Sequence, residues 1–252
     1  MKKYVVTPDK HFPHHDKKSI SVVCKAIEAI KPDGYIDLGD TGDWESISHH
    51  KYKKVGGPPR LEYYLPNFIQ EIEEVNKGMD IIDASLDKAK VKERYFIQGN
   101  HEFWMDMFVD QYPYLPEYNT KDALKLDKRG YKYYPQGTFL TIGNLGYYHG
   151  DEYGGMHHAA NHCNQFKCNV MYGHHHDVQV YTSRSKRMGP VTAYSIGCLK
   201  NMDYKSNKFT KGRPLNWRQA FSIVTYVGNS YFVEIVEINN GKAIVNGELI
   251  EG

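Results

Sequence analysis

Five short apolar runs in this chain, "KYVV", "YIDL", "YFIQ", "LGYY" and "NVMY", each lead into a cluster of Asp, Asn or His. The clusters are Asp9-Lys10-His11, Gly39-Asp40, Gly99-Asn100-His101-Glu102, His149-Gly150-Asp151 and Gly173-His174-His175-His176. Runs of this length read as buried strands. In open α/β sheets the loops at the carboxyl ends of strands lie side by side and form the site. Polar side chains far apart in sequence are therefore expected at one sheet edge.

What lies between the runs agrees with an α/β chain. Ile20, Val23, Ile27 and Ile30 recur at helical spacing and stop before Pro32. A second helical pattern runs from Leu61 to about Lys90, with breaks expected at Pro66 and Gly78. "TFLTIGNLGYYHGD" reads as a hairpin, "MHHAANHCNQF" as a short helix, and the last third alternates in a β manner. Segments 44–60 and 104–126 are polar, aromatic and punctuated by proline or glycine, so they read as cap-like loops. No linker-like tract or internal repeat divides the 252 residues, and a single domain over 1–252 is the economical reading.

Composition narrows the function classes. A formal net charge of +2 gives no electrostatic footprint of a dedicated nucleic-acid binder. No apolar run has the length of a membrane span, and "MKKYVVTPDKH" has no apolar signal core, which points to an intracellular protein. Cys24, Cys163, Cys168 and Cys198 show no CxxC spacing and read as free thiols rather than a zinc knuckle.

The strand-end clusters combine carboxylates, an amide and imidazoles. Such a mixed N/O set suits Mn, Fe, Zn or Ni and lacks the thiolates of a structural zinc site. Asp9 and His11 are two apart, as are His174 and His176, so each pair is expected to aim to one side of an extended segment, with His175 facing away. The glycines beside them allow sharp turns and close approach. His157, His158 and His162 fall on the predicted helix and are expected to face solvent or the pocket edge. The segments "HHKYKK" and "SRSKR" read as solvated surface.

Taken in order, DxH, GDxxD, GNHE, a later HG and GHxH resemble the calcineurin-like metallophosphoesterase family. Here they read Asp9-His11, Gly39-Asp40-Asp43, Gly99-Asn100-His101-Glu102, His149 and Gly173-His174-His176. The stretch from "HGDEYGG" to "VMYGHHH" is also similar to small phosphoesterases of phages and bacteria. The resemblance implies a four-layer α/β/β/α sandwich of two mixed β-sheets flanked by helices. It implies two divalent ions, manganese foremost, one held by Asp9, His11 and His176 and the other by Asn100, His149 and His174. Asp40 would bridge them, and a water shared by the ions would be the nucleophile. His101 would face the substrate as a proton or hydrogen-bond donor, and Asp43 would orient a ligand histidine.

A phosphoesterase acting on a nucleotide-like or other small phosphate ester follows. Protein phosphatases of this superfamily carry arginines where Trp44 and Gln98 stand here, which disfavours that branch. A small DNA or RNA nuclease is one alternative, and a non-catalytic metal-binding scaffold is another. Trp44, Tyr52, Trp104 and Tyr114 are the aromatic residues placed to stack on a base or to pack. If the chain is phage-encoded, the host cytoplasm is its place of action.

Overall fold

The protein is described by a computed structural model covering residues 1–48, 51, 57, 60–185, 189–203 and 207–252. His49, His50, Tyr52, most of "HHKYKK" and the end of "SRSKR" lie outside the described residues.

The first sheet holds β1 (Lys2–Thr7), β2 (Gly34–Asp37), β3 (Glu93–Ile97) and β4 (Tyr131–Tyr134) in parallel, and β10 (Ala220–Val227) and β11 (Ser230–Glu237) add antiparallel strands beyond β1. The second sheet has the order β5 (Leu140–Ile142), β6 (Leu145–Tyr147), β7 (Val170–Tyr172), β9 (Gly189–Ile196) and β8 (Val178–Ser185), with parallel pairs β6–β7 and β7–β9. Both sheets are mixed, as expected.

Strand alternation builds the layers. Tyr4, Val6, Ile36, Leu38 and Ile97 of the first sheet meet Leu145, Tyr147, Met171 and Ile196 of the second in one buried cluster. The intervening Val5, Tyr35 and Phe96 face the other way, onto α1 (Lys17–Ile30), α2 (Leu61–Lys88) and α3 (Asn100–Gln111). Tyr148, Val170 and Tyr172 face outward from the second sheet, where Cys163 of α5 (His158–Phe166) covers them. The result is helix, sheet, sheet, helix. Each fully buried large apolar side chain contributes on the order of 1.5–3 kcal/mol, so the inter-sheet cluster is a main source of stability.

Helix α1 begins where the Asp16 carboxylate accepts the Ser19 N–H at 2.7 Å, and ends at Lys31 in left-handed conformation, one residue before Pro32. Helix α2 differs from expectation: it runs unbroken through Pro66 and Gly78. At Gly78 the Phe12 ring occupies the space a Cβ would need, so the glycine serves close packing and not a break. The short α4 (Thr120–Ala123) and the apolar residues Trp104, Met105, Phe108, Leu124 and Leu126 seat much of segment 104–126 in the helix-layer core. β12 (Lys242–Val245) and β13 (Glu248–Glu251) form a hairpin, and its Ala243 and Val245 join that core. No helix among the described residues is long and apolar enough to cross a membrane.

Candidate metal centre

The ends of β1, β2, β3, β6 and β7 open onto one edge shared by the two sheets, but the loops there are not extended. Asp9 (φ 27°), His11 (φ 51°), Asp40 (φ 47°), His174 (φ 63°) and His176 (φ 62°) all have positive φ. This corrects the extended-segment reading of the two spaced pairs. Non-glycine residues adopt this region uncommonly, and it collects at functional sites when surrounding bonds hold it. Here the His174 N–H donates to Asp9 Oδ2 at 2.8 Å, the His11 N–H to the Asp40 carbonyl at 2.9 Å, and the Leu199 N–H to the Asp9 carbonyl at 2.9 Å.

Two groups of donor atoms result. On one side His11 Nε2 and His176 Nε2 lie 3.0 Å apart, with Asp9 Oδ1 3.9 Å from His176 Nε2. On the other, His149 Nε2 is 2.9 Å from Asn100 Oδ1 and 3.2 Å from His174 Nδ1. Asp40 stands between them, its Oδ2 3.9 Å from His11 Nε2 and 3.3 Å from His149 Nε2. All seven side chains singled out from the sequence thus meet at one place. Two neighbouring glycines make room: a Cβ on Gly173 would overlap Asp9 Oδ2, and one on Gly99 would overlap Asp40 Oδ1.

The tautomers are set from outside the cluster. His11 Nδ1 donates to Asp43 Oδ1 at 2.8 Å and His149 Nδ1 donates to the Leu38 carbonyl at 2.9 Å, so each turns its Nε2 inward. Burial, reinforced by Lys200, lowers the His11 pKa to about 4. Burial and the nearby His149 lower His174 to about 3. Both rings are neutral lone-pair donors at neutral pH. His149 goes the other way: burial opposes its protonation, yet the charge and hydrogen bond of Asp40 raise it to about 10. Asp9 is pushed well above the usual carboxylate range by burial and by Asp40, whereas Asp40, despite its burial, is held well below it by His149. In the metal-free protein one buried carboxylate is thus balanced by an imidazolium, which must release its Nε2 proton to hold a cation, and the next is not. A donor set of this kind, with inward imidazole lone pairs beside two carboxylates and an amide oxygen, fits divalent cations.

His101 is held differently. Its N–H donates to Asp40 Oδ1 at 3.0 Å, its Nδ1 donates to the Asp43 carbonyl at 2.7 Å, and its ring packs 4.2 Å from that of Trp104. Nε2 therefore points at the cluster, 3.9 Å from Asp40 Oδ2, on a side chain 21% exposed. Asp43 also meets Lys200, whose Nζ is 2.6 Å from Oδ1. Glu102 is buried and accepts four N–H groups of the surrounding loops, those of Asp40, Gly42, Trp44 and Gly99.

Several readings change. His158 and His162 are buried, not solvent-facing, because α5 lays them against Tyr148, Tyr172 and Asp177. Trp44 is fully buried, with its indole N–H on Glu102, and Gln98 is turned inward onto Asp106 and Thr120. Trp104 is buried against His101, whereas Tyr114 is exposed. Sequence reasoning missed Lys200 and Trp217, the latter packed 4.4 Å from the His176 ring. Neither sits in a motif; only the long-range return of the chain brings them here.

No protein-family model matches the chain. It is similar to the Gene 54 proteins of two phages: 25% identical over 266 residues to that of Mycobacterium phage L5, and 24% over 272 residues to that of Mycobacterium phage D29. Each alignment covers 99% of both chains. Among solved structures, Vacuolar Protein Sorting 29 from Cryptosporidium parvum overlays with a TM-score of 0.52 at 12% identity, over 100% of this chain and 98% of that one. This is the metallophosphoesterase fold. YfcE, a phosphoesterase from E. coli, is a looser likeness, with a TM-score of 0.39 and 14% identity over 99% of this chain and 98% of that one.

Proposed function

We propose that the protein is a metal-dependent phosphoesterase that hydrolyses a P–O ester bond of a nucleotide-like or other small substrate. The observation that carries this reading is the position of Asp40 between the two donor groups, with Oδ2 within 3.9 Å of His11, His101 and His149 alike. Asp9, His11 and His176 would hold one divalent ion, Asn100, His149 and His174 a second, and Asp40 would serve both. Such ions, manganese being the first choice, would lower the pKa of an attacking water and neutralise charge gathering on phosphoryl oxygens.

The chain's own residues supply the rest. Asp40 turns Oδ2 toward both donor groups while its Oδ1 fixes the start of α3 through the His101 N–H. Because His101 donates Nδ1–H to the Asp43 carbonyl, its Nε2 faces the cluster, and in the imidazolium form that nitrogen would carry the proton passed to the leaving oxygen. Trp104 keeps that ring from swinging away. General-acid assistance of this kind is worth about 10²–10⁴ in rate. The phage origin of the similar Gene 54 proteins supports action in a host cytoplasm.

The test is turnover of an aryl phosphodiester and an aryl phosphomonoester with Mn²⁺, with and without chelator, beside His101→Ala. Mn²⁺-dependent release of product, lost with chelator and reduced about 10²–10⁴-fold in His101→Ala, is the expected result. Absence of turnover by metal-loaded protein would overturn the reading. Degradation of single- or double-stranded DNA would move the substrate to nucleic acid.

A further inference from the structure

A second histidine cluster lies behind the first. His158 and His162 are one helical turn apart on α5, a spacing that puts both rings on one face. His175 reaches them from the loop after β7, its ring 3.8 Å from that of His158 and 5.9 Å from that of His162. Each of the three residues offers a nitrogen, and these atoms lie within 4.8 Å of one another.

The hydrogen bonds around the cluster are those of a ligand set. His158 Nε2 donates to Asp177 Oδ1 at 2.9 Å, which leaves Nδ1 as the lone-pair nitrogen, now accepting from the Tyr172 hydroxyl at 2.8 Å. Asp177 is in turn held by the Gln179 amide at 2.8 Å and the Ser195 hydroxyl at 3.1 Å. A carboxylate behind an imidazole is the common way to fix a metal-binding histidine. His162 meets the Tyr148 hydroxyl through Nδ1, and its Nε2 is buried with no well-formed hydrogen bond among the described residues. An unpaired nitrogen in a buried polar pocket costs about 1–3 kcal/mol, and a cation is one group that would satisfy it.

We propose that His158, His162 and His175 form a further divalent-cation site, separate from the Asp40 centre. Imidazole donors alone select a borderline ion such as Zn²⁺ or Co²⁺ and not Mg²⁺ or Ca²⁺, which require oxygen ligands. Nitrogens on a tetrahedral zinc stand roughly 3.4 Å apart, so His175, half-buried and bonded from Nε2 to the Tyr153 carbonyl at 3.1 Å, must turn out of its stack on His158. Because His175 lies between His174 and His176, the bound ion ties α5 to the loop that carries both of them.

The test is zinc anomalous scattering on crystals of the full chain, with the zinc retained after desalting counted in wild type, His162→Gln and Asp40→Asn. A peak among the three histidines, and about one equivalent lost in His162→Gln, are expected. The Asp40→Asn protein should keep that peak. No peak in the wild type, or an unchanged count in His162→Gln, would overturn the site. The Asp40 centre is read from separate peaks, so either site can fail without the other.

Discussion

Glu102 Oε2 accepts the Asp40 N–H at 2.7 Å, while Oε1 accepts the Gly42 N–H at 2.9 Å and the Trp44 indole at 3.1 Å. One carboxylate on α3 therefore shapes the loop that presents Asp40. Oε2 also takes the Gly99 N–H, so the same group caps its own helix.

Replacing it should separate the loop from the helix. Glu102→Ala leaves buried N–H donors without acceptors, each costing about 1–3 kcal/mol. Thermal unfolding should fall by about 2–4 °C for each kcal/mol in a chain of this size. Manganese affinity, measured by titration calorimetry, should fall as well, because Asp40 is no longer aimed. Unchanged melting would remove Glu102 from this role.

Asp43 couples His11, a proposed ligand, to the buried Lys200 ammonium: it takes Nδ1–H of His11 at 2.8 Å and Nζ of Lys200 at 2.6 Å. Losing an orienting carboxylate typically costs 10–100-fold in metal affinity, and Asp43→Ala should do so here. It also strands the Lys200 charge, which is 4% exposed. The Asp43→Ala/Lys200→Met double variant should therefore regain stability relative to Asp43→Ala without regaining the affinity. If the double variant melts lower than Asp43→Ala, Lys200 is not held by this pair.

The line between what the sequence reveals and what it hides runs through this same loop. Asp9, Asp40, Asn100 and the histidines stand out because each follows an apolar strand directly, and strand ends are readable from local pattern. The left-handed turns at Asp9, His11, His174 and His176 leave no such mark, since the residues that hold them, such as Leu199, come from distant segments. Edge strand β4 escapes notice because "YKYY" mixes Tyr and Lys on a half-exposed ribbon. His158 and His162 look solvent-facing until Asp177 and Tyr172 are placed beside them.

Protonation should destabilise the metal-free protein in mild acid. His11 and His174 titrate at about 4 and about 3 when folded, against 6.5 when unfolded. The unfolded chain therefore binds protons first as pH falls, and their stabilising contribution, full above pH 6.5, is lost progressively down to those folded values. Each contributes a loss of up to about 1.4 kcal/mol per pH unit. His149, raised to about 10, acts oppositely: its contribution is full below 6.5 and fades as pH rises toward 10. Chelator-treated protein should melt lower at pH 5 than at pH 7, and lower again at pH 9.5 than at pH 7. A flat profile between pH 5 and 7 would contradict the buried, neutral state of His11 and His174.

Gly173 offers a way to disturb the proposed centre without replacing a proposed ligand. Its backbone does not require positive φ, so alanine is sterically possible for the chain itself. The obstacle is Asp9, whose Oδ2 occupies the space of the new methyl group, with Pro8 behind it. Asp9 also accepts the His174 N–H through both oxygens, at 3.0 and 2.8 Å, so pushing the carboxylate away breaks the clamp between the β1 and β7 loops. Overpacking of this size costs about 1–3 kcal/mol, which a folded chain survives. Gly173→Ala should therefore keep its far-ultraviolet circular dichroism, lose a few degrees in melting, and bind Mn²⁺ at least tenfold more weakly than wild type. A variant that binds Mn²⁺ as tightly as wild type would mean that Asp9 is not a ligand.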